Sequence, residues 1–476
     1  MSGAPTPASK AAGKARLTAL IVACALFMQN LDSTVISTAL PAMARAFGAD
    51  PVHMNVALTS YLLSLAVFIP ASGWVADRFG ARTVFRTAIL VFTAGSVLCG
   101  RADSLAFLVA ARILQGAGGA MMVPVGRLVL LRTVAKSELV AAMAWLSAPA
   151  LIGPLVGPPL GGFFVDYFSW RLIFDINVPI GLLGFVLVTL FVEDVREAVR
   201  VQFDGVGLVL SATCLSCLMF GLETAGRGVV EGWISAAMFA TGTASGLLYW
   251  WHARRRAAPV LDFTLLRIPT FLVSVAAGTL FRVGIGAVPF LLPLMLQIGF
   301  GRSAVQSGLI TLAGSAGAIV MKPAAVGMLR RFGFRDTLLW NGAISAVMLG
   351  ACAAFRPSWP VAFIYAVLLV GGFLRSLQFT AYNTLAYADI PRARMSAATS
   401  LYATIQQVSL TLGVAAGAGV LEIAMAMGDA HGTSLIPSLG DFSAAFLAVA
   451  FVSLLAAPVA LLMPRAAGAE LSGRAG

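Results

Sequence analysis

The chain has 476 residues, of which 59% are hydrophobic and 11% charged, with a mean hydropathy of +0.91 and a formal net charge of +12. A soluble globular protein carries about 25% charged residues, so this composition excludes a soluble enzyme and points to an all-α polytopic membrane protein. The positive balance does not imply nucleic acid, because Lys and Arg are parcelled out between apolar segments, as topology signals are.

In chain order, residues 1–16 are polar, basic and rich in small side chains. They read as a cytoplasmic tail, because the apolar run that follows is too long for the core of a signal peptide. A spanning helix needs about 17–25 mostly apolar residues. Fourteen such segments are predicted, at 17–43, 54–76, 84–100, 104–131, 139–164, 172–192, 205–223, 232–252, 269–296, 304–326, 337–355, 360–386, 396–422 and 442–463. A count of twelve would turn 205–252 into a cytoplasmic insertion, but the apolar runs 206–222 and 236–251 argue against it.

With the N-terminus in the cytoplasm, only Arg45, Arg101, Arg171, Arg227, Arg302 and Arg356 of the 32 Lys and Arg residues fall in outer loops. Most of the rest, from Lys10, Lys14 and Arg16 to Arg465 and Arg474, lie in cytoplasmic loops and tails. This bias predicts both termini inside, which requires an even number of helices. The five Cys all lie in apolar segments and read as small hydrophobes rather than as a disulfide framework. Cys214 and Cys217 have no His beside them, and His53, His252 and His431 are scattered, so no metal site is predicted. No phosphate loop suggests direct use of ATP.

The chain repeats itself. Asp77-Arg-Phe-Gly-Ala-Arg82 after the second segment returns as Arg330-Arg-Phe-Gly-Phe-Arg335 after the tenth. Arg112-Ile-Leu-Gln115 in the fourth returns as Arg375-Ser-Leu-Gln378 in the twelfth. The Leu26-Phe27 and Leu40-Pro41 pairs of the first have echoes in Leu280-Phe281 and Leu292-Pro293 of the ninth. The common order gives two parallel six-helix halves with the seventh and eighth segments inserted. The predicted organisation is a cytoplasmic tail at 1–16, an N-terminal bundle at 17–193, a two-helix insert at 194–268, a C-terminal bundle at 269–464 and a tail at 465–476. Parallel halves with a site at the midplane are a transporter architecture.

One side chain stands out within this frame. Asp32 lies in a run from Leu17 to Ala44 that has no other charge. A carboxylate near the middle of a membrane helix costs about 2.5–3.5 kcal/mol on insertion scales, and such residues face a partner or a water-filled cavity. Arg112 is comparably placed in the fourth segment, and a cation close to Asp32 would favour its charged form. The alternative for Arg112 is that it only anchors backbone carbonyls or reaches the interface.

Several motifs carry a resemblance. Gly73-Trp-Val-Ala-Asp77-Arg78-Phe-Gly80-Ala-Arg82 resembles the signature between the second and third helices of the major facilitator superfamily. Its charges suit a cytoplasmic latch and Gly80 suits a tight turn; the plainer reading is a stop-transfer cluster. The C-terminal copy has Arg330 where the first has Asp77, so that half is degenerate. Leu108-Val-Ala-Ala-Arg112-Ile-Leu-Gln115-Gly116 resembles the fourth-helix motif of the superfamily. Gly153, Pro154, Gly157, Pro158, Gly161 and Gly162 resemble its fifth-helix antiporter motif. Gly153, Gly157 and Gly161 share one helix face and allow close packing, while the prolines are expected to bend the helix. Asn30-Leu-Asp32-Ser-Thr and Trp170-Arg-Leu-Ile-Phe-Asp175-Ile-Asn177-Val-Pro are similar to motifs of the fourteen-helix drug:proton antiporter branch. Asp175 departs from the apolar residue expected there, and reads as a solvated cap or a second proton or cation contact.

The resemblance covers residues 17–465 and implies the major facilitator fold, with 14 transmembrane helices in two six-helix halves plus two extra. It implies proton-coupled export of small lipophilic or toxic compounds by rocking of the halves, in a multidrug-efflux manner, at the bacterial cytoplasmic (inner) membrane. Asp32 and Arg112 would carry proton coupling, with Asp175 and Glu422 as second acidic sites. Gln29, Asn30, Gln115, Asn177, Arg282, Arg375, Gln378, Asn383, Gln406 and Gln407 are the substrate-cavity candidates. Lys322 is expected to reach the interface. The proton gradient would replace any cofactor, and the partners would be a small molecule, protons and lipid, with the chain acting as a monomer and not as an enzyme. The rival readings are a facilitator or proton symporter of a sugar or metabolite on the same fold, and a receptor or sensor without transport.

Overall fold

A computed structural model describes residues 7–48, 55–192, 202–224, 231–302, 304–428, 437–464 and 467–472. These residues form helices and turns and no strand. In hydrocarbon every backbone donor and acceptor must be satisfied within the segment, which a helix does.

The described helical runs group into fourteen. They are α1 (Pro7–Phe47), α2 (Asn55–Phe68, continuing as Ser72–Phe79), α3 (Ala81–Gly100), α4 (Leu105–Thr133), α5 (Leu139–Tyr167) and α6 (Asn177–Phe191, preceded by the turn Leu172–Asp175). The insert supplies α7 (Gly205–Thr224) and α8 (Gly232–Ala253). Then come α9 (Pro269–Gly286, continuing as Val288–Leu294), α10 (Ala304–Asp336), α11 (Gly342–Ala351), α12 (Val361–Leu385), α13 (Met395–Gly428) and α14 (Leu439–Leu454). Ten runs among the described residues are long and apolar enough to cross a membrane, so the chain is an integral membrane protein.

Two boundaries differ from expectation. α1 already begins at Pro7, inside the stretch read as a tail, because Ala11, Ala12 and Ala15 continue the helix. α13 runs on to Gly428, so Glu422 lies within a helix rather than near its end.

The chain divides into two compact units. One comprises Met1–Ser216, Gly242–Phe263 and Pro391–Thr404; the other comprises Cys217–Thr241, Thr264–Ile390 and Ile405–Gly476. The insert and the first turns of α13 are therefore shared out rather than forming a body of their own.

The repeat is visible in the backbone. Gly80 has φ 86° and ends the helix carrying Asp77, while Gly333 has φ 77° and interrupts α10 in the second copy. A side chain is strained in that region and glycine is not. In the first unit Leu31, Val35, Ile36, Phe174 and Trp170 form a buried apolar cluster around the ends of α1, α3 and α4. In the second, Leu291, Leu292, Phe355, Phe442 and Phe446 form the corresponding core.

Candidate functional site

Close helix approach brings the polar residues of the first unit together. A Cβ at Gly116 of α4 would lie 2.8 Å from the Tyr61 carbonyl oxygen of α2, and one at Gly95 of α3 would lie 2.7 Å from Gln115 Cα. With no side chains there, α4 packs backbone to backbone against both neighbours, and Arg112 and Gln115 project between them and α1.

Asp32 is their target. Arg112 Nη1 donates to Asp32 Oδ2 at 2.6 Å. Gln115 Nε2 donates to Oδ1 at 2.8 Å, and Asn177 Nδ2 of α6 donates to the same oxygen at 3.0 Å. Both members of the ion pair are sealed, with Asp32 2% and Arg112 0% exposed. The donors are held in turn. Arg112 Nη1 also donates to Gln115 Oε1 at 2.7 Å, and its Nε donates to the Ala57 carbonyl at 3.2 Å. Asn177 Nδ2 also donates to Ser96 Oγ at 2.9 Å, and Ser96 donates to the Phe174 carbonyl at 2.9 Å. Tyr61 lies under the guanidinium, its ring centre 4.3 Å from Arg112 Cζ.

Five helices thus converge on one carboxylate. Burying an ion pair is costly unless its geometry is good and its remaining hydrogen-bonding capacity is satisfied; here each carboxylate oxygen is met by at least one donor. All three direct partners are donors, as a carboxylate requires, while Arg112 Nη2 and Asn177 Oδ1 are buried without a hydrogen-bond partner. A protonated Asp32 would have to give up one of the three bonds, since a carboxylic acid presents a donor where the carboxylate had an acceptor.

The antiporter-motif glycines grip the same stretch of α1. A Cβ at Gly153 would meet the Leu31 backbone nitrogen at 2.9 Å, and one at Gly157 would meet Thr34 Oγ1 at 2.2 Å. These contacts sit on either side of Asp32. Gly161 is buried, whereas a Cβ at Gly162 would meet no atom within 4 Å, so Gly162 plays no such part. The side chains of Pro154 and Pro158 lie outside the described residues; α5 runs through them as one helix from Leu139 to Tyr167.

A profile of the Major Facilitator Superfamily matches residues 22–414. Relatives provisionally named multidrug resistance protein MdtD are 40% identical over 400 residues in Klebsiella pneumoniae, covering 83% of each chain, and 39% identical over 399 residues in Serratia proteamaculans, covering 83% of this chain and 82% of that one. The chain belongs to the major facilitator superfamily. The solved structure of the proton:xylose symporter XylE bound to 6-bromo-6-deoxy-D-glucose shares the fold, with a TM-score of 0.64 at 16% identity over 97% of both chains. So does the human organic anion transporter MFSD10, with a TM-score of 0.62 at 13% identity over 96% of this chain and 100% of that one. Membership makes the protein a transporter rather than an enzyme.

The superfamily signature loop adopts its own arrangement here. Asp77 accepts from Arg132 Nη2 at 2.8 Å and from the Ser396 hydroxyl. Arg78 points outward, and Arg82 donates to the Thr189 carbonyl. Among the described contacts, Asp77 pairs with Arg132 of α4 and not with Arg78 or Arg82, the residues the sequence places beside it. Gly73 packs against Ser396, since a Cβ there would lie 2.6 Å from the Ser396 carbonyl oxygen.

The remaining candidates are dispersed. Gln29 and Asn30 are half-buried on α1, and Asn30 Nδ2 donates back to the Leu26 carbonyl at 2.8 Å. Asp175 stays out of the Asp32 constellation and lies 3.7 Å from the exposed Arg101. Glu422 is exposed on α13, where Gln406 and Gln407 are half-buried. Gln378 is not the counterpart of Gln115: it accepts from Asn341 Nδ2 at 2.8 Å and donates to the Leu338 carbonyl at 3.0 Å, bracing α12 against the start of α11. Arg375 Nε donates to the Gly371 carbonyl of its own helix at 3.2 Å. Arg282 and Asn383 are buried. Lys322 does not reach for an interface; it is 8% exposed and donates to Thr380 Oγ1 at 3.2 Å.

Sequence reasoning missed Ser96, Tyr61, Arg132 and Ser396. Small neutral side chains in a membrane helix carry little cost and hence no signal, and Arg132 looked like one of many topology charges.

Proposed function

We propose that the protein exports small lipophilic or toxic compounds across the cytoplasmic membrane, driven by protons and with no cofactor. The observation that carries this reading is the Asp32–Arg112–Gln115–Asn177 constellation. Protonation of Asp32 removes its charge and one acceptor position, which loosens α1 from α4 and α6. The glycine contacts of α5 with Leu31 and Thr34 then transmit a shift of α1 to α5. Alternating access follows if the two arrangements of these helices open opposite sides. Arg112 favours return of the proton by re-forming the pair. The names given to the 40%-identical relatives support a multidrug substrate range.

A proton moving down 100 mV contributes about 2.3 kcal/mol, which corresponds to roughly a fiftyfold gradient of a neutral compound. The test is transport in proteoliposomes bearing Asp32→Asn. The variant is expected to bind substrate and to lose accumulation under a proton gradient. Accumulation at the wild-type level would remove Asp32 from the coupling step.

A further inference from the structure

The loop that follows α8 opens with three consecutive arginines, Arg254, Arg255 and Arg256, all exposed. Two of them are ordered on aromatic rings. Arg254 Cζ lies 4.4 Å from the ring centre of Trp250, and Arg255 Cζ lies 3.5 Å from that of Trp251. Stacking uses the face of a guanidinium, whereas its N–H donors lie in the plane and match a phosphate.

The loop is pinned at its far end. The buried Tyr249 hydroxyl accepts from the Leu261 nitrogen at 2.6 Å and donates to the Leu261 carbonyl at 2.9 Å. Phe263 returns against Trp250, with ring centres 5.6 Å apart. The arginines therefore sit in a closed reversal of the chain, both of whose ends are fixed to the last turns of α8. The acids of this region are committed elsewhere. Asp204, just ahead of α7, accepts from the Gly207 nitrogen at 2.9 Å and meets His252 Nε2 at 2.7 Å, and Asp262 pairs with Arg394. Among the described residues no carboxylate pairs with Arg254, Arg255 or Arg256. Three adjacent like charges repel one another, and an anion seated against them relieves that repulsion.

One face of α8 specifies the anion. Leu247, Trp251 and Arg255 recur every four residues, which places them in one column. The Arg255–Trp251 stack carries that column past the end of the helix. Leu247 is 66% and Trp251 56% exposed, so the column faces outward along its length. Its order is apolar, then amphipathic, then cationic. A phospholipid presents the same order from acyl chain through interface to phosphate, and Trp favours the interfacial level. A free phosphate would use the arginines alone and gain nothing from the exposed Leu247 and Trp251.

We propose that the Leu247–Trp251–Arg255 column, with Arg254 and Arg256 beside it, binds an anionic phospholipid. The lipid phosphate lies against the arginines, and an acyl chain runs along Trp251 and Leu247. The two-helix insert thereby acquires a lipid-binding role of its own, separate from the Asp32 constellation and independent of what the protein exports.

Native mass spectrometry of the purified full-length protein tests this, with titrations in detergent of dioleoylphosphatidylglycerol, dioleoylphosphatidylcholine and glycerol phosphate, the headgroup without its chains. Wild type is expected to hold its first phosphatidylglycerol about tenfold or more tighter than phosphatidylcholine, and an equal concentration of glycerol phosphate should not displace it. An arginine near an anionic lipid contributes roughly fivefold. Arg255→Gln should therefore weaken phosphatidylglycerol by about fivefold, and Arg254→Gln, Arg255→Gln and Arg256→Gln combined by roughly a hundredfold. Trp251→Ala keeps every charge and should still weaken it by roughly threefold. Arg330→Gln, which removes an exposed arginine of α10, should leave it unchanged. Circular dichroism and a monodisperse elution profile check the fold of each variant. The site is overturned if the two lipids bind alike, if the triple variant keeps the wild-type affinity, or if Arg330→Gln weakens binding as much as Arg255→Gln. An unaffected Trp251→Ala would remove the column, and displacement by glycerol phosphate would replace the lipid with a soluble anion.

Discussion

Arg112 Nη1 lies 2.6 Å from Asp32 Oδ2, and neither side chain reaches solvent. Each charge alone would be costly at this depth, and together they tie α1 to α4. Removing one partner of a buried pair destabilises by about 3–5 kcal/mol, because the other is left uncompensated. Arg112→Ala should therefore lower the thermal midpoint in detergent markedly, and Asp32→Asn added to it should restore much of the loss. Equal midpoints for wild type and Arg112→Ala would show that the pair does not hold α1 in place.

The contact between α5 and α1 makes a graded prediction. Gly157→Ala puts a methyl 2.2 Å from Thr34 Oγ1, and Gly153→Ala puts one 2.9 Å from the Leu31 backbone nitrogen. Overpacking of this kind costs about 1–3 kcal/mol, and here it also moves Asp32. Both variants should transport poorly, whereas Gly162→Ala, which meets nothing within 4 Å, should match wild type. Substrate efflux from cells, normalised to the amount of protein in the membrane, ranks the three.

Gly80 and Gly333 hold corresponding places in the two halves with φ of 86° and 77°. A Cβ in that region costs about 1–3 kcal/mol. Gly80→Ala and Gly333→Ala should each lower stability by that amount although neither touches substrate. Thermal unfolding of the two variants measures it, and an unchanged midpoint in both would mean that the turns relax freely.

The Asp77 contacts separate two arginines that the signature loop does not distinguish from Arg132. Hydrogen bonds to charged groups contribute about 1.5–3 kcal/mol. Arg132→Ala should reproduce the defect of Asp77→Ala in transport rate, and Arg78→Ala should leave the rate near wild type, because Arg78 is exposed. Rates in proteoliposomes of matched protein content provide the comparison.

What composition and periodicity determine is the scaffold. Long apolar runs at membrane depth must become helices, because the backbone has no other way to satisfy its polar groups there. The fourteen segments, the internal repeat, the need for glycine at Gly80 and the cost of Asp32 are all local or pairwise properties of the chain, and all are legible in it. Partnership is different. Asp32, Ser96, Arg112, Gln115 and Asn177 come from four helices, and only the close approaches at Gly95, Gly116, Gly153 and Gly157 bring them to one point. The same holds for Arg132, which became the partner of Asp77 in place of Arg78 and Arg82, and for Lys322, which turned inward to Thr380. A charge in the sequence announces that it needs a counterpart; which counterpart it finds depends on helix packing, a property of distances between segments that no single segment encodes.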